Sequence, residues 1–386
     1  MSEEFNSRNS NINEKTIFSL NEIDKNSLSK EIPLNYKNNT KKLTKIIDYI
    51  SIAKIISVFS VVILHTNSFW SFHYYNYKKE NWITANIIEC IFYFAVPVFI
   101  LCIGATLLDF NEKYELKVYY NKRIIKVVIP LISWNIILYF FRVYFLKNLK
   151  KQKLNFVNIW NLFFENKIYL IFGSFHQFLL VYMILPLIAY VVKSKKIKIY
   201  SYFFIWIILT QSLIPYLINI FSPRLKWIYF INPGYIIYLF PGYIIHNYKF
   251  SKFFKFIIYI LGIIGFLIHL YGTQILTLKY KKIIILHKGY FNMPCILYSC
   301  SIFLFIKENS FIILKCINRK YINKIGSLTI GPFFIHLPIK DTIDKYFNLN
   351  KYSLVYTLFL GIFICIISFI LTSILKKIPL INYLVP

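Results

Sequence analysis

The sequence predicts an all-α membrane protein, a multi-pass transmembrane helix bundle with about ten spanning helices. Hydrophobic residues make up 57% of the 386-residue chain, more than the roughly 45–50% of a typical soluble domain. Aromatic residues make up 20%, and Tyr and Trp suit membrane interfaces, where one end of the ring is wet. From residue 45 onward, apolar runs long enough to cross a bilayer alternate with short polar loops.

The elements follow from these runs in chain order. Residues 1–44 are polar and rich in Asn, Ser, Glu and Lys, which predicts a disordered cytoplasmic tail, because such a segment cannot bury enough apolar surface to offset its ordering entropy. Residues 45–386 are predicted to form one membrane domain. Its predicted spans lie near residues 46–66, 86–108, 127–146, 172–192, 199–219, 227–245, 254–272, 289–306, 326–340 and 352–375.

The distribution of basic residues indicates membrane topology and not nucleic-acid binding. The chain has 45 Lys and Arg against 16 Asp and Glu, a net charge of +29, but the basic residues sit in short loops between apolar runs instead of forming one stripe. Loop lysines and arginines are more numerous on the side of the N-terminus, which predicts that both termini are cytoplasmic in the cell membrane. The six cysteines have no metal-ligand spacing and are expected to be small apolar core residues, so no metal site and no tightly bound cofactor are predicted.

The first span holds two ionisable residues, Lys54 and His65, which are eleven positions apart. This spacing is about three helical turns, so both side chains project from nearly the same face, roughly 16 Å apart along the axis. Ionisable groups in a spanning helix are costly to bury and are functional candidates. The pair could mark two depths of one polar pathway. Alternatively, Lys54 snorkels to the cytoplasmic surface and His65 only ends the helix.

Other polar residues near the spans carry weaker signals. Glu89 and Arg142 are expected to be interface-level or ion-paired residues. Four histidines lie in loops or at span ends without a matching motif and are expected to be interfacial: His73, His246, His269 and His287.

Five stretches, in order, resemble segments of one family of membrane enzymes. The first, "KIISVFSVVILHTN", has a basic residue, ten further residues and then a histidine; the second is "FAVPVFILCIGATLL". The third, "NKRIIKVVIPLISWNIILY", enters its span with two basic residues three apart. The last two are "FHQFLLVYMILPLI" and "IGSLTIGPFFIHLPI". On these stretches the chain resembles the acyltransferase-3 family of integral membrane acyltransferases over residues 45–375.

The chain departs from the family pattern at three places. The family usually has arginine where this chain has Lys54 and Lys126. Lysine keeps the charge there but lacks the planar fork that holds phosphate or carboxylate. In the fourth stretch, the distance from His176 to the following tyrosine is shorter than in the family.

The resemblance implies an enzyme that moves an acyl group other than an aminoacyl group, commonly acetyl, from acyl-CoA. The acceptor would be a hydroxyl or amine of a cell-surface carbohydrate or a lipid-linked glycan, so the activity would be polysaccharide modification. His65 would be the general base or a transient acyl acceptor, and Lys54 a charge within the donor pathway. Arg123 and Lys126 would meet the phosphates of CoA.

The resemblance also places His336, and His176 by the fourth stretch, in the substrate cavity. Two alternatives stay open: Arg123 and Lys126 could reflect only positive-inside topology, and His336 could be an ordinary helix-end histidine. For the whole chain, the alternative function is a transporter or flippase for glycans without catalysis. Transporters often show internal repeats, and no repeat is visible in this sequence.

Overall fold

The computed structural model describes residues 34–71, 79–113, 115–147, 170–193, 197–221, 234–347 and 353–386. Within these ranges every regular element is a helix, which confirms the all-α fold class. The chain divides into two compact units, Met1–Ile47 and Asp48–Pro386. The predicted tail lies mostly outside the described residues, although a helical backbone begins at Leu34, and its disorder stays a prediction.

The helices are numbered here in chain order. They are α1 (Leu34–Thr66), α2 (Lys79–Phe92), α3 (Ala95–Leu107), α4 (Phe110–Lys113), α5 (Leu116–Arg123), α6 (Ile129–Phe140), α7 (Leu170–Lys193), α8 (Ile197–Ile208), α9 (Ile214–Phe221), α10 (Leu239–Asn247), α11 (Lys252–Leu267), α12 (Thr273–Tyr280), α13 (Met293–Cys316), α14 (Arg319–Gly326), α15 (Ile330–Tyr346) and α16 (Gly361–Leu375). Wide π-helical turns join several of them, at Ile124–Val128, Phe141–Leu146, Leu209–Leu213, Ile268–Gly272 and Tyr356–Leu360.

Seven stretches in the described ranges are long and apolar enough to cross a membrane. They are Asp48–Thr66, Glu80–Lys113, Leu116–Leu146, Phe204–Phe221, Lys252–Tyr280, Met293–Cys316 and Tyr356–Leu375. Each coincides with a span predicted from the sequence. The predicted count of ten is not confirmed.

The other three predicted spans differ for separate reasons. The fourth corresponds to α7, whose apolar described part is the shorter stretch Leu179–Tyr190. The sixth is described only from Gly234, where a 3₁₀ turn leads into the nine-residue helix α10. The ninth corresponds to α15, a helix of 17 residues. A length of 17 residues is the lower limit of what spans a bilayer, about 17–25 residues, and the nine residues of α10 fall below it.

The centre of the bundle is formed by the first two spans. In their most apolar stretches, 67% and 72% of residues are buried, against 22% in Lys252–Tyr280 and 28% in Tyr356–Leu375. Helices α3 and α10 pack with their backbones almost in contact. A Cβ on Gly104 would lie 2.0 Å from the carbonyl oxygen of Leu239, and one on Gly242 would lie 2.2 Å from that of Leu101. Small residues permit such close helix packing in membranes.

Candidate functional site

A cavity of about 400 Å³ opens at one end of the second unit and collects basic side chains from distant parts of the chain. Lys54 comes from α1, Arg123 from the end of α5, and Lys126 from the π-helical turn that follows. Lys376 comes from the residue directly after α16. The remaining lining residues are Phe99, Cys102, Ile103, Thr106, Leu107, Val127, Tyr182, Gly326, Ser327, Thr329, Ile330, Phe333 and Pro386.

Among the described residues, the side chains that line this cavity include no Asp or Glu. The described ion pairs of the chain join basic groups elsewhere, as in Arg319 with Asp48 and Lys340 with Asp344. The cavity therefore concentrates positive charge without an acidic side chain on its own walls. Such a site favours an anionic ligand, because an anion supplies charge opposite to that of the four basic side chains.

Arg123 is held by aromatic rings. Its guanidinium carbon lies 5.5 Å from the ring centroid of Tyr119 and 5.4 Å from that of Tyr182. The hydroxyl of Tyr119 donates to the Tyr182 carbonyl at 2.8 Å, which ties α5 to α7. The Nε of Arg123 is buried and has no hydrogen-bond partner among the described atoms. A buried polar group without a partner is unusual.

The predicted histidines His65 and His336 lie side by side. Their ring centroids are 5.2 Å apart, with an angle of 43° between the ring planes. The Nδ1 of His336 lies 2.8 Å from the carbonyl oxygen of Pro332, one helical turn earlier. Because a carbonyl only accepts, Nδ1 carries the hydrogen in this contact. The Nε2 of His336 is buried without a hydrogen-bond partner in the described part of the chain.

The histidine pair and the basic cavity are neighbouring sites, but they do not share a lining. Phe99 and Phe333 line the cavity, and their rings meet edge to face with centroids 6.2 Å apart. The ring of Phe333 also meets the ring of His336, at 6.2 Å. The phenyl ring of Phe333 therefore lies against the cavity on one side and against the histidine pair on the other.

Beyond the histidines, α15 presents a charged pair on the same face. Lys340, one turn after His336, donates to Asp344 at 2.8 Å, and the hydroxyl of Tyr356 also donates to Asp344. Next to His65, the hydroxyl of Thr66 donates to the Thr357 carbonyl at 2.9 Å. These contacts fix α1, α15 and the turn before α16 to each other around the histidine pair.

Glu89 is a buried residue and is only 2% exposed. It accepts hydrogen bonds from Asn67 at 2.9 Å and from the Trp70 indole at 3.0 Å. The positive charge of Lys288, which is 3% exposed, acts on it electrostatically. Lys288 itself donates to Asn86 at 3.0 Å. The sequence left open whether Glu89 is an interface-level or an ion-paired residue, and it did not identify Lys288, which lies outside the predicted spans.

Several other predicted residues have different outcomes. The prediction that His269 is interfacial is wrong: it is fully buried within the Lys252–Tyr280 span, and its ring meets Tyr93 edge to face at 4.8 Å. His246 is partly buried, and its Nδ1 lies 2.6 Å from the hydroxyl oxygen of Tyr49. The backbone of His176 belongs to α7, but its side chain lies outside the described residues.

The cysteines and metal-ligand types add little to this picture. Cys90, Cys102, Cys295 and Cys365 are buried, and Cys316 is exposed. Among the described residues, no group of three or more His, Cys, Asp or Glu is arranged to hold a metal ion.

Comparison with known protein families gives one result. A family model for an acyltransferase domain, acyltransferase 3, matches residues 47–374 of the chain. Neither the comparison with curated proteins nor the comparison with solved structures found a match.

Proposed function

The chain belongs to the acyltransferase-3 family, and on this premise we propose that it transfers an acyl group, in the first instance acetyl, from acyl-CoA to a surface glycan. The acceptor group is a hydroxyl or amine of a cell-surface carbohydrate or a lipid-linked glycan. The enzyme would reside in the cell membrane with both termini in the cytoplasm. In general terms, the protein is a membrane acyltransferase.

One observation supports the donor site above all others. Lys54, Arg123 and Lys126, which the sequence marked separately, line one cavity that has no acidic side chain. The nucleotide end of CoA carries a pyrophosphate and a ribose phosphate, and guanidinium and ammonium groups are the usual partners of phosphate in proteins. In this proposal the nucleotide end lies in the cavity, with the Arg123 guanidinium oriented by Tyr119 and Tyr182.

The proposed chemistry takes place at the histidine pair. The neutral imidazole of His65 takes the proton from the acceptor hydroxyl or amine, and the acceptor atom attacks the thioester carbonyl carbon. The C–S bond then breaks, and the thiolate of CoA leaves and takes up the proton from His65. The ring of His336 contacts the ring of His65, and the Nδ1–H of His336 donates to the Pro332 carbonyl. His336 is therefore proposed as a positioning residue. An alternative in which His65 carries the acyl group transiently uses the same two rings.

The thioester has to react with the acceptor and not with water. In this proposal the apolar rings of Phe99 and Phe333 keep water away from it. In this proposal the thioester arm reaches from the cavity to the histidines past these two apolar rings. Exclusion of water from a closed site also strengthens the electrostatic interactions inside it.

Turnover of acetyl-CoA by the purified protein tests the proposal. The variant Arg123→Gln combined with Lys126→Gln is expected to raise the KM for acetyl-CoA at least tenfold and to change kcat less, because phosphate contacts bind the donor before and during reaction. The matched control is Lys122→Gln, an exposed neighbour that does not line the cavity. An unchanged KM in a folded double variant would leave only membrane topology as the reason for these charges.

The acceptor is identified by mass spectrometry of surface glycans from cells with and without the gene. A mass difference equal to one acyl group per sugar residue is the expected result. If the purified protein turns over no acyl-CoA but moves labelled glycan across vesicles, the transporter alternative replaces this proposal.

A further inference from the structure

Lys376 is a basic residue of the cavity that neither the motifs nor the resemblance assigns. It follows directly after α16, and its side chain lines the cavity with Lys54, Arg123 and Lys126. Its Nζ reaches the carbonyl oxygen of Ser327, another lining residue, at 3.4 Å. This contact is long for a hydrogen bond, so it leaves most of the donor capacity of the ammonium group free.

The position of Lys376 is electrostatically unfavourable unless an anion is present. Burial lowers the pKa of Lys376, and the nearby charge of Lys126 lowers it further. Two ammonium groups that face the same space repel each other. Two other described lysines have carboxylate partners: Lys255 pairs with Glu308, and Lys340 pairs with Asp344. The walls of the cavity offer no acidic side chain to Lys376.

Two simpler explanations apply to any lysine at this point of the chain. A cation near a helix C-terminus interacts favourably with the helix dipole, and lysines after a span agree with positive-inside topology. Both explanations apply equally to the next residue, Lys377, which is exposed and does not line the cavity. Lys377 therefore provides a matched control for everything except the cavity.

We propose that Lys376 is a phosphate-binding residue of the donor site, which contacts the phosphorylated nucleotide end of acyl-CoA together with Arg123 and Lys126. This inference rests on the proposed function, because it takes the occupant of the cavity to be the CoA nucleotide. It adds a contact from the far end of the chain, so the donor site is complete only when the end of α16 meets the start of the third span. Lysine acts here as a point charge, which suits a phosphate that approaches without the fixed geometry of a guanidinium fork.

The test measures binding and not turnover. The full-length protein is purified in detergent, and calorimetry gives its affinity for CoA, dephospho-CoA and pantetheine. Lys376→Gln is expected to weaken CoA binding tenfold or more, because a hydrogen bond to a charged group contributes more than a neutral one. Its affinity for pantetheine, which has no phosphate, should stay within about twofold of the wild-type value. Lys377→Gln should bind all three compounds as the wild type does.

A conservative variant and thermal denaturation separate binding from folding. Lys376→Arg should retain CoA affinity, and the Tm of Lys376→Gln should match that of Lys377→Gln. Equal losses for CoA and pantetheine in Lys376→Gln would overturn the inference, because the residue would then support the cavity without contacting phosphate. Wild-type CoA affinity in Lys376→Gln, with weakened binding in Arg123→Gln, would overturn it while leaving the proposed function intact. Wild-type CoA affinity in all these variants would overturn both.

Discussion

The imidazole rings of His65 and His336 are in contact, and this contact bears most directly on the proposed chemistry. His65 and His336 cannot both be positively charged imidazolium groups at low cost, because like charges at short distance repel each other. The Nδ1 hydrogen of His336 is engaged by Pro332, which fixes the tautomer and the orientation of this ring. The fixed His336 ring favours the neutral form of His65. A neutral imidazole is the form that accepts a proton in general base catalysis.

Replacement of His65 tests its role as the base. His65→Ala is expected to lower the turnover of acyl-CoA with acceptor by about 10²–10⁴-fold, the usual contribution of general acid–base catalysis, while membrane insertion stays normal. His336→Ala should cause a smaller loss, and His269→Ala, which removes a buried histidine outside the site, should leave kcat unchanged if the protein folds. Lys54→Arg should keep activity, since it keeps the charge. Retention of more than about a tenth of the activity in His65→Ala would rule out the imidazole as the base.

The buried charges of Glu89 and Lys288 give a second prediction at this scale. Lys288→Met should destabilise the protein by roughly 3–5 kcal/mol, because it removes the positive charge that acts on the buried Glu89 and the hydrogen bond that Lys288 donates to Asn86. The double variant Glu89→Gln with Lys288→Met should recover much of this loss, since both charges are then removed. Thermal denaturation of the four proteins in detergent measures the coupling. Purely additive losses would show that the two charges do not stabilise each other.

Single residues differ in how well the sequence predicted their place. Lys54 was predicted because a charge in an apolar run stands out, whereas Arg123 and Lys126 were predicted from the resemblance of their stretch to the acyltransferase-3 family. Lys376 was not, because a lysine after the last span is also what topology alone requires. The burial of His269 was missed because its span continues for two further turns beyond the predicted end, to Tyr280. Only the packing of distant helices decides such cases.

At the scale of the element, the third span is widened where it carries the proposed donor contacts. Lys126 lies in the π-helical turn Ile124–Val128, and Pro130 follows at the start of α6. Proline has no N–H to donate, so the regular hydrogen-bond pattern is interrupted here, and π-turns occur frequently at functional sites. The sequence contained this signal in Pro130. The turns at Phe141–Leu146 and Ile268–Gly272 contain no proline and do not precede one directly, and could not have been predicted in the same way.

The sequence predicted a span correctly where the span is one continuous apolar helix. Seven predicted spans coincide with helices that are long and apolar enough to cross a membrane, and a long apolar run has no alternative to a helix in lipid. The sixth and ninth predicted spans are short helices in the described ranges, next to turns at Gly234–Tyr238 and Ser327–Thr329. The apolar residues of both segments extend across these turns, so the hydropathy pattern does not mark where the turns lie. The turns are determined by tertiary packing.

Close helix packing gives a prediction for two glycines. A Cβ on Gly104 would meet the backbone of Leu239, whereas one on Gly262 would meet the side chain of Ser301, with a Cβ–Cβ distance of 2.3 Å. Both Gly→Ala variants should lose stability, by about 1–3 kcal/mol as for other overpacked sites. Adding Ser301→Gly should restore most of the loss in Gly262→Ala. No side-chain change can relieve Gly104→Ala. Denaturation midpoints in detergent measure both, and equal rescue by distant glycine substitutions would contradict this packing.

For the whole molecule, the shared cavity constrains how the chain crosses the membrane. Lys54 lies near the start of the first span, and Arg123 and Lys126 lie near the start of the Leu116–Leu146 span. Lys376 directly follows the last span. Because all of them line one cavity, the first span begins, and the last span ends, at the same membrane face. This arrangement predicts an even number of crossings, so at least one crossing besides the seven continuous spans of the described residues is expected.

This constraint predicts the outcome of cysteine labelling. Cys316 is exposed and is first replaced by serine, so that single cysteines at the exposed positions Glu80, Glu115 and Lys377 can be compared in whole cells. Glu115 begins the span that leads to Arg123, and Lys377 follows the cavity lysine, so both should react only after the membrane is permeabilised. Glu80 begins the second span at the opposite face and should react in intact cells. Reaction of Glu115 and Lys377 on different sides would contradict the shared cavity itself. Reaction of both from outside would preserve the cavity but place it away from cytoplasmic acyl-CoA, and the proposed direction of transfer from cytoplasm to surface would then be wrong.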